Sequence, residues 1–137
     1  MYDQIQKAER SRSREQILIE RLPCTFAVCK VEDYSKVNLS GAFCFLQKTD
    51  EENSLVCLSD QIPENVTEVQ DGWRAFRVKG QMDFSLIGIL AGIATVLADE
   101  AISIFAISTF NTDYILVDEE DFEKAADVLK NAGYLMQ

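Results

Sequence analysis

Residues 85–117, SLIGILAGIATVLADEAISIFAISTFNTDYILV, decide the fold of this chain. Residues 85–99 place apolar side chains at helical spacing, and Ser85 can cap that helix by accepting a hydrogen bond from a first-turn N–H group. The segment Ile102–Phe110 is β-branched and aromatic without any charge, which predicts a strand buried on both faces. Asn-Thr-Asp at 111–113 favours a turn, and Tyr114–Val117 then predicts the returning strand.

The flanking segments extend this pattern in both directions. Trp73–Lys79 alternates in side-chain character and predicts a strand before the helix. A second helix is predicted over 119–132, with acidic residues in its first turn and Gly133 as a left-handed stop. Tyr134–Met136 predicts a last short strand. The order β-α-β-β-α-β predicts an α+β, ferredoxin-like fold, in which two helices cover one face of an antiparallel four-stranded sheet.

The first half of the chain is a weaker copy of the second. Ala42–Leu58, AFCFLQKTDEENSLVCL, repeats the order of strand, polar connection and strand. The residues between Val31 and Ala42 are too few for a full helix. Residues 17–32 predict one or two strands that are interrupted at Pro23. We therefore predict a tandem repeat. It comprises an N-terminal arm at 1–16, a degenerate β-rich subdomain at 17–71 and a complete domain at 72–137.

The composition argues against several classes of protein. The chain has 137 residues and a net charge of −10, without the basic footprint that nucleic acid requires. No apolar run approaches the roughly 20 residues that span a bilayer, and residues 1–16 lack the apolar core of a signal peptide. Histidine is absent, which removes Ser-His and Cys-His nucleophile pairs and His-ligated zinc. We expect a cytoplasmic protein that binds neither nucleic acid nor membrane, needs no metal or cofactor, and is not an enzyme.

The cysteines are expected to be structural. Cys24, Cys29, Cys44 and Cys57 form no C-x-x-C motif, and each lies in an apolar, strand-like run where a free thiol behaves as a small hydrophobe. This predicts free thiols in a reducing compartment. A redox-sensing pair, such as Cys24 with Cys29, is the alternative.

Two motifs in the second half resemble the ACT domain, a regulatory module that binds amino acids. Residues 85–90, SLIGIL, resemble the opening D-x-P-G-v-l of that family, and residues 96–104, VLADEAISI, resemble its v-L-a…g-I-n-I. Ser85, Ile87 and Ala101 stand where the family has Asp, Pro and Gly. Over about Cys24–Tyr134 the chain is similar to small standalone tandem-ACT proteins related to aspartate kinase regulatory domains and eukaryotic arginine sensors. The resemblance implies two ACT units whose sheets join side by side, within the chain or across a dimer, with ligands at the junction.

An amino-acid ligand would need partners for its carboxylate and for its ammonium group. A helix N-terminus offers N–H groups and a positive dipole end to the carboxylate, whereas Asp113 could pair with the ammonium. The candidate ligand-binding residues flank the start of the helix and the following turn: Ser85, Leu86, Ile87, Gly88, Thr109, Asn111, Thr112 and Asp113. The alternatives are a plain helix cap at Ser85, a plain turn residue at Asp113, and close helix packing along the small residues from Gly88 to Ala98.

Two functions agree with these features. The first is a non-catalytic regulatory protein that binds a free amino acid or a similar small molecule. The alternative is a protein-interaction module that kept the ACT fold without a ligand. An open sheet edge and an uncovered helix face also predict a homodimer or larger homo-oligomer.

Overall fold

The computed structural model describes residues 17–79 and 88–137. They form seven strands: β1 Leu18–Val31, β2 Cys44–Lys48, β3 Asn53–Leu58, β4 Val66–Lys79, β5 Phe105–Ser108, β6 Asp113–Asp118 and β7 Leu135–Met136. Helix α1 spans Ile89–Asp99 and helix α2 spans Phe122–Asn131. Single 3₁₀ turns follow β3 at Ser59–Gln61 and β6 at Glu119–Asp121. Neither α1 nor α2 is long and apolar enough to cross a membrane.

The chain divides into two compact units that are interleaved in sequence. The first unit is Pro23–Arg74, and the second unit combines residues 17–22 with Ala75–Gln137. Strands β1 and β4 therefore each contribute residues to both units. These units differ from the predicted segments 17–71 and 72–137 mainly at residues 17–22, which group with the second half of the chain.

The second unit has the predicted ferredoxin-like arrangement with one additional strand. Strands β1, β4, β6 and β5 are neighbours in this order, and β5 pairs antiparallel with β6 from Phe105↔Leu116 to Ser108↔Asp113. Strand β7 pairs with β1 in parallel, Leu18 opposite Leu135 and Ile19 opposite Met136. The fold class is confirmed, but the sheet is not purely antiparallel, because the beginning of β1 lies beside the last strand.

Both helices of the second unit pack on one core. The apolar side chains of alternate strand positions meet those of the two helices in a single buried cluster, which includes Phe76, Val78, Ile115, Val117, Ile93, Leu97, Phe122, Ala125 and Leu129. The Phe76 and Phe122 rings stack with their centroids 4.6 Å apart. Period-two strand positions and period-3.6 helix positions thus point at the same core, as the apolar pattern of the sequence predicts.

Helix α1 begins later than the sequence predicts. Gly88 occupies the N-cap position with φ +82°, a left-handed conformation that a helix continuous from Ser85 cannot contain. Helix α1 therefore begins after Gly88, which occupies the cap position. Ser85 itself lies outside the described residues.

The strand after α1 is also shorter than predicted. The ladder with β6 covers Phe105–Ser108 rather than Ile102–Phe110, because Ile102 takes part in the C-terminal cap of α1, where its N–H donates to the Leu97 carbonyl at 3.0 Å. Only Ile107 is buried within β5, and Ala106 and Ser108 are exposed. The expectation of burial on both faces is wrong, because β5 lies at an edge of the sheet.

The first unit is a sheet with the strand order β2-β3-β1-β4. Strand β1 continues through Pro23, so the predicted interruption there is wrong, whereas β3 lies where Ser54–Leu58 was predicted. Its core contains Ala27, Cys29, Val31, Leu55 and Cys57, packed against Tyr34 and Val37 of the loop that follows β1. This loop is where the second unit has helix α1, and among the described residues of the first unit no α-helix forms.

Candidate functional site

The hairpin between β5 and β6 contains the predicted polar cluster. The N–H and hydroxyl groups of Thr109 both donate to the Thr112 carbonyl, at 2.8 and 3.1 Å, which closes the turn. The Ser108 hydroxyl donates to the Asp113 carboxylate at 2.6 Å. Thr109 and Asn111 are exposed, and Thr112 and Asp113 are half-buried. The turn is thus held by its own polar groups, as its composition predicts.

A hydrogen bond fixes this hairpin to the end of β4. The Thr112 hydroxyl donates to the Val78 carbonyl across 34 positions of sequence. Strand β4 leads, through residues outside the described ranges, toward Gly88 and helix α1. The turn and the end of β4 therefore lie at one edge of the second unit.

Gly88 provides an uncrowded entrance to helix α1. It has φ +82° and no side chain, and its carbonyl accepts from the Gly92 N–H at 2.8 Å as the first helical hydrogen bond. A Cβ added at Gly88 would meet no atom of the described residues within 4 Å. The helix start shifts the first-turn N–H groups to residues 89–91, where an anion finds donors and the positive dipole end. Ser85, Leu86 and Ile87 lie outside the described residues.

The small residues of α1 divide into an inner and an outer set. A Cβ added at Gly92 would lie 3.1 Å from the Tyr134 hydroxyl, so Gly92 permits close packing within its own unit. Ala91, Thr95 and Ala98 are exposed on the helix surface. The close packing that the small residues of α1 indicate in the sequence therefore occurs at Gly92, where the neighbour is Tyr134 of the same unit.

Three features near this edge were not predicted from the sequence. Phe110, placed in a buried strand by its composition, is fully exposed at the hairpin tip, with a relative exposure of 104%. Arg77 donates from Nε and a terminal nitrogen to the Glu20 carboxylate, at 2.9 and 2.7 Å. Its guanidinium carbon also lies 5.9 Å from the centre of the Tyr114 ring.

Arg77 is held as a cation by this environment. The hydrogen bond with Tyr114 and the one with Glu20 raise the pKa of the Arg77 guanidinium above its ordinary value. Glu20 precedes Arg77 by 57 positions, so no local pattern could have paired them. Arg77 alternates with Phe76 and Val78 of the helix-covered core and therefore belongs to the opposite face of the sheet.

The acidic side chains do not converge. Within 17–79 and 88–137, no group of three or more cysteine, aspartate or glutamate side chains could hold a metal ion. In the run Asp118–Asp121, Asp118 accepts a hydrogen bond from the Glu120 N–H at 2.9 Å. That contact is a cap on the 3₁₀ turn before α2, the alternative expected for an acidic first turn.

A βαββαβ unit whose two helices pack on one core defines a class of small α+β domains. Within that class, the family model described as "ACT domain" matches residues 68–131. The match covers just under half of the chain, and over these residues it confirms the resemblance to the ACT domain seen in the sequence.

Three similar proteins extend this result. The human cytosolic arginine sensor for mTORC1 subunit 1 is 44% identical over 59 residues, which cover 42% of this chain and 18% of the sensor. A crystal structure of a protein from Agobacterium tumefaciens is 34% identical, with a TM-score of 0.78 over 89% of this chain and 92% of its own. Aspartate kinase from Clostridium acetobutylicum is 18% identical and shares the fold alone, with a TM-score of 0.60 over 85% of this chain and 34% of its own. The chain thus matches about a fifth of the arginine sensor's length.

Proposed function

We propose that this chain is a non-catalytic regulatory protein that binds a free amino acid or a similar small ligand. The match of residues 68–131 to the ACT domain family model is the observation that carries the proposal. The sequence relatives are named as arginine sensors, and the structural neighbours include an aspartokinase in complex with aspartate and ADP. Their names make arginine and aspartate the first ligands to test.

The ligand site is proposed at the edge formed by the entrance of α1 and the β5–β6 turn. In this arrangement the ligand carboxylate accepts from N–H groups at the start of α1, and Asp113 neutralises the ammonium. Ser85, Leu86, Ile87, Gly88, Thr109, Asn111 and Thr112 complete the surroundings. The open space at Gly88 and the hydrogen bond from Thr112 to Val78 support this choice. The net charge of −10 on the chain favours arginine, which is a cation at pH 7, and does not repel an amino acid with an uncharged side chain, whereas it opposes binding of the aspartate anion.

Titration calorimetry against a panel of amino acids tests the proposal. Asp113→Asn keeps the turn and an acceptor for Ser108 but removes the negative charge, so affinity should fall about tenfold or more, or roughly 1.4 kcal/mol. Glu119→Gln is the matched control, because it removes the same charge from an exposed position at the other end of β6. Gly88→Asn adds bulk at the entrance, and Asn tolerates the left-handed conformation better than other side chains.

Each result has a distinct meaning. A panel without any binding removes the proposed function. Binding that Asp113→Asn leaves unchanged places the ammonium elsewhere, and binding unchanged in both variants removes the site while retaining the function.

We also infer a tandem repeat, a homodimer and a cytoplasmic location. The repeat is supported by two hairpins of similar length, β2–β3 and β5–β6, that each lead into a 3₁₀ turn. Strand β5 lies at one end of the strand order and offers an edge that a second copy can cover. Light scattering that gives only monomer at tens of micromolar would contradict the homodimer. The location rests on the relatives, which are named as cytosolic.

A second candidate is an ACT-fold module that binds another protein and no ligand. The fully exposed Phe110 at the hairpin tip favours it, as do Ser85 and Ile87 in place of the family's Asp and Pro. The amino-acid panel separates the two functions, since this candidate predicts no binding in solution.

A further inference from the structure

Three of the cysteines lie side by side on one face of the first unit. Cys44 of β2 is directly opposite Cys57 of β3 in the antiparallel ladder. In the next ladder Cys57 is opposite Ala27 and Cys29 is opposite Leu55, so Cys29 and Cys57 are diagonal neighbours on β1 and β3. All three side chains pack in or against the same apolar core. The order across the three strands is Cys44, Cys57, Cys29, which we call the thiol row.

The register decides which pair can be joined. Residues directly opposite in an antiparallel ladder have Cα atoms about 4.5–5.5 Å apart, within the roughly 4.4–6.8 Å that a disulfide spans. Diagonal neighbours are separated by about 7–8 Å, beyond that range. Cys44 with Cys57 therefore has suitable geometry, whereas Cys29 with Cys57 would require the strands to move.

The fourth cysteine, Cys24, cannot form a disulfide with the thiol row because of its position on β1. Cys24 is five residues from Cys29 on β1, so it points to the opposite face, roughly 16 Å along the strand. The redox pair of Cys24 with Cys29, considered from the sequence, is therefore wrong. All four cysteines are free thiols in the structure.

Accessibility sets the order of reaction within the thiol row. Cys44 is half-buried, whereas Cys57 is 2% exposed. Burial raises the pKa of the Cys44 thiol, and burial together with Cys29 and Cys44 raises the pKa of Cys57 to about 12. Interaction with the neighbouring Cys29 side chain adds to the rise in the pKa of Cys57. An oxidant from solvent thus reaches Cys44 first and meets a thiolate there more often than at Cys57.

We propose that Cys44 and Cys57 form a reversible cross-strand disulfide when the chain meets a peroxide, which makes the first unit oxidant-sensitive. The Cys44 thiolate attacks one peroxide oxygen, the O–O bond breaks, hydroxide leaves, and Cys44 becomes a sulfenic acid. The Cys57 sulfur then attacks the Cys44 sulfur, the S–O bond breaks, and water leaves with the Cys57 proton. Two thiols lose two electrons to the peroxide, which becomes two molecules of water.

The bond would connect an edge strand to its neighbour. Strand β2 ends the strand order, and among residues 17–79 and 88–137 its ladder with β3 is the one that attaches it to the sheet. The disulfide closes the loop through the charged turn between Lys48 and Asn53, and Cys29 remains a thiol. The oxidised first unit should therefore resist opening of β2 more strongly than the reduced one.

Mass spectrometry of the whole chain tests the proposal. The reduced protein is treated with hydrogen peroxide, then denatured and alkylated without reductant. Alkylated thiols should fall from four to two, the mass of the chain before alkylation should fall by about 2 Da, and dithiothreitol should reverse both changes. Cleavage by trypsin after Lys36, Lys48 and Arg74 puts Cys44 and Cys57 on different peptides, so the linked pair identifies the bond. The reaction should be faster at pH 9 than at pH 7, because the Cys44 thiolate is the attacking group.

Variants separate the assigned pair from the others. Cys44→Ser should abolish the loss of thiols, whereas Cys29→Ser and the control Cys24→Ser should retain it. Cys44 is half-buried, so its serine variant tests the proposal even if a change at buried Cys57 prevents folding. A linked Cys29–Cys57 peptide, a disulfide between two chains, a sulfinic acid at Cys44, or four thiols after treatment would each overturn the proposal. None of these outcomes depends on ligand binding.

Discussion

Replacing Ala101 with glycine should stabilise the protein, because Ala101 has a backbone conformation that glycine adopts more easily. Its φ is +58°, and it is the one residue other than glycine with positive φ among residues 17–79 and 88–137. It lies just after the end of α1, where the Ala101 N–H donates to the Ala98 carbonyl at 2.9 Å and the Ile102 N–H to the Leu97 carbonyl at 3.0 Å. These two bonds form a Schellman motif, whose left-handed position is usually glycine.

Helix α2 ends in the same motif with the usual residue. Gly133 has φ +106°, its N–H donates to the Lys130 carbonyl at 3.1 Å, and the Tyr134 N–H donates to the Leu129 carbonyl at 3.2 Å. The chain thus contains an alanine and a glycine in equivalent positions. Gly133 also confirms the helix stop that the sequence predicts.

Two opposing terms set the expected size of the effect. A left-handed conformation costs an L-residue such as alanine roughly 1–2 kcal/mol, and glycine at Ala101 would relieve it. Glycine also raises the entropy of the unfolded chain, which costs about 0.4–1 kcal/mol. The net gain for Ala101→Gly is therefore about 0.5–1 kcal/mol, or a rise of about 2–4 °C in Tm for a chain of this size. Gly133→Ala should be destabilising by about 1 kcal/mol or more, since φ of +106° suits alanine even less.

Urea unfolding followed by circular dichroism at 222 nm measures both variants. Helices α1 and α2 belong to the second unit, so the helical signal reports on the unit that contains both substitutions. If Ala101→Gly lowers or leaves unchanged the free energy of unfolding, while Gly133→Ala destabilises as expected, the strain assigned to Ala101 does not exist.

Three further perturbations follow from the packing and the charges. Leu97→Ala should destabilise by about 2–5 kcal/mol in urea unfolding, because Leu97 is fully buried in the core of the second unit, whereas Thr95→Ala on the exposed side of α1 should cost far less. Hydrogen bonds from Ser35, joined by one from Asn65, lower the pKa of the exposed Asp33 carboxyl. The ionised Asp33 carboxylate therefore stabilises the fold above the unfolded pKa, and this stabilisation is lost as pH falls through the folded pKa. The free energies of unfolding of Asp33→Ala and the parent protein should therefore converge in acid. An NMR titration in which Ser35→Ala leaves the Asp33 pKa unchanged would contradict that cause. Phe110→Ser should change the free energy of unfolding by less than about 0.5 kcal/mol, because Phe110 is fully exposed; a larger loss would mean that the tip packs against protein.

Local sequence patterns determined most of the elements of the second unit. The apolar spacing of α2, the turn at 111–113, and Gly133 each act within a few residues, so the sequence alone was enough to place them. The boundaries of α1 were harder to predict. The sequence is equally compatible with Gly88 inside a helix and with Gly88 at a left-handed cap. The folded backbone, with φ +82°, shows that Gly88 is the cap.

Tertiary structure alone decided the long-range relations. The sequence gives no sign that residues 17–22 join the second unit, that Leu18 pairs with Leu135, or that Arg77 meets Glu20. The thiol row likewise depends on strand register, since a slip of one residue would turn Cys44 to the other face. Side-chain periodicity fixes which face of an element is apolar, because it depends on neighbours along the chain. The partner and register of that face depend on the packing of the whole core, to which residues far apart in sequence contribute together.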